Sequence, residues 1–104
     1  MKTLSHPARD DISLCNVFHA LSDPVRLSVV RSLACSEAGE QPCGTFDVPV
    51  SKATFSHHIR VLREAGVIRI RTKGTQSLTS LRREDLETRF PGLLEAVMQA
   101  NTPF

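Results

Sequence analysis

Between Val50 and Lys73 the apolar positions change their period once. Phe55, Ile59 and Leu62 fall at i, i+4 and i+7, the stripe of an amphipathic helix. Ser51 stands where an N-cap is needed, since its hydroxyl can accept from the free N–H groups of a first turn. Val50 and Phe55 have the N′ and N4 spacing of a hydrophobic staple. Gly66 sits where the helix should stop. After it Val67, Ile68, Arg69, Ile70 and Arg71 alternate, which predicts a strand. Lys73-Gly74-Thr75 then reads as a turn and Gln76 to Leu81 as the returning strand of a β-hairpin. On the helix, Ala53, His57, Arg60 and Glu64 point away from the apolar stripe, with Ser56 beside them.

The rest of the chain reads as helices. Residues 1–9 look like a flexible arm, and residues 10–100 like one domain. Asp10 or Asp11 can cap a first helix ending near Leu21, with Leu14, Val17, Phe18 and Leu21 apolar and Cys15 alongside. That stripe is wider than one-sided packing needs. Asp23-Pro24 is a strong start for a second helix, reaching about Ala34. Its buried stripe is Leu27, Val30 and Leu33, or Val30 and Ala34, with Arg26 and Arg31 facing out. Cys35 to Val50 is broken by Gly39, Pro42, Gly44 and Pro49, and only Thr45 to Val48 offers a short helical turn. Arg82 to Phe90 predicts a further helix with Leu86 and Phe90 inward. Pro91 would open a last helix to about Ala100, apolar at Leu93, Leu94, Val97 and Met98. The first and last helices form the obvious surface for a second copy, through Leu14, Phe18, Leu21, Leu94, Val97 and Met98.

Charge changes the picture. From Val50 to Lys73, Lys52, Arg60, Arg63, Arg69, Arg71 and Lys73 face only Glu64, a balance of +5. The whole chain, with 13 Lys and Arg against 11 Asp and Glu, carries +2, so the remainder carries −3. Such concentration is the footprint of a polyanion site. The early helix face is small, polar or cationic, which suits entry into a major groove. A chain of 104 residues has room for one core. It holds no apolar run long enough to span a membrane, and its first residues lack the apolar centre of a secretory signal. An odd count of three cysteines fits reduced thiols in a cytoplasm better than a disulfide scaffold. Trp and Tyr are absent and Phe numbers five, so base stacking on single strands is not the expected mode.

Ala20 to Leu33, ALSDPVRLSVVRSL, and Ser51 to Ile68, SKATFSHHIRVLREAGVI, resemble the ArsR/SmtB family of bacterial repressors. The likeness runs from about Asp10 to Met98. It implies a mainly α fold with a small β-hairpin, a winged helix-turn-helix, dimerising through the first and last helices. It implies a sequence-specific repressor of double-stranded DNA, released by a signal. Carried onto this sequence, the DNA contacts would be Ser51, Lys52, Ala53, Thr54, Ser56, His57 and Arg60 of the recognition helix. Arg69, Arg71 and Lys73 of the wing would touch adjacent backbone or minor groove.

Two departures concern the signal. One usual family metal site has a Cys-x-Cys on the first helix of the helix-turn-helix, where this chain has Cys43-Gly44-Thr45. The other uses His and acids on the last helix, where Pro91 to Phe104 offers only Glu95. His6, Cys15, His19, Cys35 and Cys43 are joined by no metal-ligand spacing, and His57 and His58 diverge by about 100° on a helix. No metal and no cofactor is therefore expected, with a metal-responsive repressor of atypical site as an alternative. Cys35 and Cys43 bracket a loop long enough for their thiols to meet, a candidate redox switch. The plainer alternative makes Cys15 and Cys35 small buried apolar residues and Cys43 incidental. No phosphate loop, catalytic triad spacing or HExxH is present, so no enzyme is expected. A basic-faced protein-interaction module remains the reading from another class.

Overall fold

The computed structural model describes residues 5–100. Five helices and three strands follow in the order α1 Leu14–Leu21, α2 Pro24–Cys35, β1 Glu40–Pro42, α3 Lys52–Glu64, β2 Ile68–Lys73, β3 Gln76–Leu81, α4 Arg83–Arg89 and α5 Leu93–Gln99. The helices enclose one core, with Val17, Ala20, Val29, Val30, Leu33, Ile59, Leu62, Val67, Ile68 and Leu86 among its buried side chains.

The hairpin β2–β3 is antiparallel, with Arg69 opposite Ser80 and Lys73 opposite Gln76. It gains a third strand that the sequence reading missed. β1 pairs antiparallel with β3, placing Glu40 opposite Ser80 and Pro42 opposite Leu78. A 3₁₀ turn at Cys43–Thr45 follows directly, in place of the turn expected over Thr45 to Val48.

Several expected boundaries move. Asp10 and Asp11 lie in a 3₁₀ turn, and Ser13 caps α1, its side chain accepting from Asn16 N. Pro91 does not open α5. Gly92 is its N-cap at φ +85°, a left-handed conformation that an L side chain resists. Arg26 does not face out from α2 but is buried, and Arg31 is half-buried with its guanidinium donating to Ala100 O. The buried stripe of α2 is Arg26, Val29, Val30 and Leu33, with Leu27 and Ala34 half-buried.

Of the expected arm, residues 1–4 lie outside the described residues, and residues 6–9 are fastened to the body. His6 Nε2 accepts from Ile70 N on the outer edge of β2, and Arg82 Nη1 donates to Pro7 O. Arg89 Nη2 donates to Ile12 O, and Ile12 lies against Gly66. Among the described residues no helix is long and apolar enough to cross a membrane.

Candidate nucleic-acid interface

α3 forms because its start and stop are both specified locally. Ser51 Oγ accepts from Thr54 N at 3.2 Å and donates to Thr54 Oγ1. At the other end Gly66 N donates to Arg63 O and Val67 N to Leu62 O, each at 3.0 Å, the paired closure of a Schellman motif. Gly66 has φ +85°, and a Cβ there would stand 2.6 Å from Ile12 Cγ1, so no other residue fits without displacement. The chain turns from helix into wing at this point.

The inward stripe of α3 is Ile59 and Leu62, with Phe55 half-buried and its ring 5.7 Å from that of Phe46. The outward face is as expected: Ser51, Lys52, Ala53, Thr54, Ser56, His57 and Arg60 are all exposed. Arg60 Nε lies 3.8 Å from Glu64 Oε1, a loose pair one turn along. Phe46, Val48, Val50 and Phe55 wall a shallow hollow of about 340 Å³, with Cys43, Lys52 and Ser56 at its margin. A 3₁₀ turn at Cys43–Thr45 and irregular chain as far as Val50 border that hollow.

The wing holds its cations differently. Arg69, Arg71 and Lys73 are exposed on one face of β2. Arg71 makes a two-pronged contact with Glu40 of β1, at 2.5 and 2.7 Å. The hydrogen bond from Arg71, followed by its charge and that of Lys73, holds the Glu40 carboxyl below the ordinary range, and Glu40 raises Arg71 in turn. For an acid lowered in the folded state, the contribution is complete above the ordinary value of 4.5 and is lost as pH falls through the folded value. Arg69 Nη2 stands 3.7 Å from Asp85 Oδ2, the carboxylate that also takes Arg82 at 2.8 Å and Arg9 at 3.7 Å. Sequence spacing gave no sign of either acid, because both arrive from other elements.

Cys15 and Cys35 are exposed, against the alternative that they are buried; Cys43 is half-buried, with Sγ 2.9 Å from Thr79 Oγ1. His19 is exposed and its carbonyl, not its ring, makes its described bonds. Among the described residues no three His, Cys, Asp or Glu side chains gather as metal ligands. Of the expected contact residues on the first and last helices, Leu14 and Phe18 are exposed, at 42% and 53%. Val97 and Met98 are half-buried. Leu21 and Leu94 are buried in the chain's own core, so the sequence reading placed them on the wrong side. Arg26, expected to face out, and His58 are buried together under the exposed face.

A capped helix with a free polar face, turned by one glycine into a cationic hairpin, defines a winged helix-turn-helix DNA-binding protein. Residues 21–71 match the family described as "Helix-turn-helix domain". The chain is 36% identical over 95 residues to the uncharacterized HTH-type transcriptional regulator YceK of Bacillus subtilis, covering 85% of this chain and 89% of that protein. It is 36% identical over 61 residues to the transcriptional repressor SdpR of the same organism, 57% of this chain and 64% of the repressor. A solved ArsR family transcriptional regulator superposes with TM-score 0.65 at 25% identity, over 79% of this chain and 89% of the other. The repressor BigR from Xylella fastidiosa gives 0.58 at 29% identity, over 74% and 85%. The chain belongs to the ArsR-type winged helix-turn-helix regulators, and it is a DNA-binding transcriptional repressor.

Proposed function

We propose that the protein works in the cytoplasm, without catalysis, as a homodimer that reads two half-sites of an operator. The exposed face of α3 enters the major groove, with Ser51, Lys52, Ala53, Thr54, Ser56, His57 and Arg60 toward the DNA. Lys73, Arg71 and Arg69 of the wing lie along the flanking backbone. The observation that carries this is the N-terminal half of α3, where every outward side chain from Ser51 to Arg60 is exposed and the cap fixes the first turn. The dimer contact is narrower than the sequence suggests: Leu14 and Phe18 of α1 with Val97 and Met98 of α5, the large exposed side chains among them being Leu14 and Phe18. A two-fold dimer would space the half-sites by about one helical turn, roughly 34–36 Å. Footprinting at two salt concentrations with random competitor, beside sedimentation of wild type and Phe18→Asp, tests the reading. The expected result is a palindromic footprint, a dimer for wild type and a monomer for Phe18→Asp. A monomeric wild type, or binding indifferent to sequence, overturns it.

For the signal, a thiol reading is favoured by the position of Cys43, at the turn leaving β1 for the recognition helix and in contact with β3 through Thr79. Oxidation by a peroxide, two thiols losing two electrons and two protons to form one disulfide with Cys35 as the peroxide is reduced, would pull on that turn. Such a bond needs Cα atoms within about 7 Å. Cys35→Ser and Cys43→Ser should keep operator binding under reducing conditions and lose any response to peroxide; release by peroxide in the double variant would refute it.

A further inference from the structure

Below the groove-facing surface, three helices meet at one arginine. Arg26 of α2 is 8% exposed, and each part of its guanidinium is used. Nε donates to Ala20 O at 2.7 Å and Nη2 to His19 O at 3.3 Å, both at the C-terminal end of α1. Nη1 lies 2.9 Å from Nδ1 of His58 on α3, which is 9% exposed. Asp23 Oδ2 caps α2 by accepting from Val25 N and Arg26 N, and stands 3.8 Å from the same Nδ1. Arginine has no acceptor, so His58 Nδ1 must receive this hydrogen bond, leaving the ring hydrogen on Nε2.

The rest of α3 packs through Phe55, Ile59 and Leu62. Apolar contact is non-directional, whereas a buried hydrogen bond ties two particular atoms together and so ties the roll of a helix to its neighbour. The one described side-chain hydrogen bond from the buried face of α3 to another element is the bond to Arg26. It is made one residue from His57, whose ring centroid is 6.0 Å from that of His58. The same guanidinium donates to two carbonyls at the end of α1, Ala20 O and His19 O, the second of which also accepts from Ser22; α1 is the helix that carries exposed Phe18.

We propose that Arg26 and His58 are positioning residues that set the rotation of the recognition helix, and that through Arg26 this setting is coupled to the helix of the dimer contact. The pair touches no DNA. It decides whether His57 and Arg60 meet base edges or only phosphates, so its loss removes discrimination before it removes binding. This rests on α3 being the reading helix.

The test pairs two substitutions with a spectrum. His58→Leu keeps apolar bulk and removes the acceptor, leaving Arg26 Nη1 unpaired. His58→Asn places an amide oxygen near the position of Nδ1. Operator and random-duplex affinities, thermal midpoint and sedimentation are measured for both and for wild type. His58→Leu should lose operator affinity by about tenfold or more, the scale of a lost charge-assisted bond, with random-duplex affinity within about twofold and the dimer retained. His58→Asn should recover most of the loss. Nitrogen-15 shifts of wild-type His58 at the assay pH should show Nε2 protonated and Nδ1 bare, a signature that a space-filling histidine would not require. Unchanged operator affinity in folded His58→Leu, equal loss on operator and random DNA, or a hydrogen on Nδ1 overturns the proposal. If His58→Leu does not fold, the tautomer decides. Failure of the groove assignment is seen separately, as undiminished discrimination in His57→Ala and Arg60→Ala.

Discussion

The recognition helix and the wing carry three cations each, and they hold them in opposite ways. On α3, Lys52 and Arg60 are exposed, Arg60 with only a loose partner in Glu64. Arg63 is half-buried near the helix end, and its Nε has no hydrogen-bond partner. On the wing, Arg71 is gripped by Glu40 and Arg69 shares Asp85 with Arg82 and Arg9, so only Lys73 at the tip lacks a carboxylate in direct contact among the described pairs. Equal formal charge therefore does not mean equal attraction for a phosphate. To meet a phosphate the helix would give up no more than the 3.8 Å pair of Arg60 with Glu64, whereas Arg71 of the wing would exchange a two-pronged carboxylate contact.

The most damaging change joins the two regions. Gly66→Ala should destabilise the whole domain by roughly 2–4 kcal/mol, from a left-handed φ plus a close approach to Ile12. Chemical denaturation should show helix and wing lost in one transition, and a change confined to the wing would separate them. Next come Arg60→Ala and His57→Ala, each expected to lose about 1–3 kcal/mol on the operator and much less on random DNA. Competition titrations read the ratio. Lys73→Ala should weaken every duplex alike and lower the salt slope by about one, with Arg71→Ala doing less because its charge is already met. Glu40→Gln is the smallest effect and the sharpest. By freeing Arg71 it should raise affinity for any duplex by about twofold to fivefold at low salt. Unchanged affinity would mean that the pair does not restrain the wing.

What could be read along the chain was what is decided along the chain. The cap at Ser51, the stripe of Phe55, Ile59 and Leu62, the stop at Gly66 and the hairpin all depend on neighbours within a few residues, and each is present in the fold. The features that were missed have partners far away. Glu40 to Pro42 has poor strand propensity and becomes a strand because β3 offers an open edge. Arg26 looked like a surface cation because a buried arginine needs several acceptors, and these come from α1 and α3. Leu21 and Leu94 looked like surplus apolar area because the pattern gives a stripe's width but not which neighbour covers it. The candidate DNA face was legible for the same reason as α3 itself, while the acids that restrain the wing were not.

The N-terminal segment has a consequence for how the protein behaves in a crowded cell. A three-stranded sheet has two open edges, and open edges recruit foreign strands. Here the β2 edge is covered at Ile70 by His6, and the β1 edge is three residues long and ends in Pro42, which has no N–H to offer. Both edges thereby offer little for a foreign strand to pair with. Removing residues 1–8 should leave the recognition helix folded and yet make the protein prone to associate through β2, so that light scattering would rise at concentrations where the intact chain stays clear.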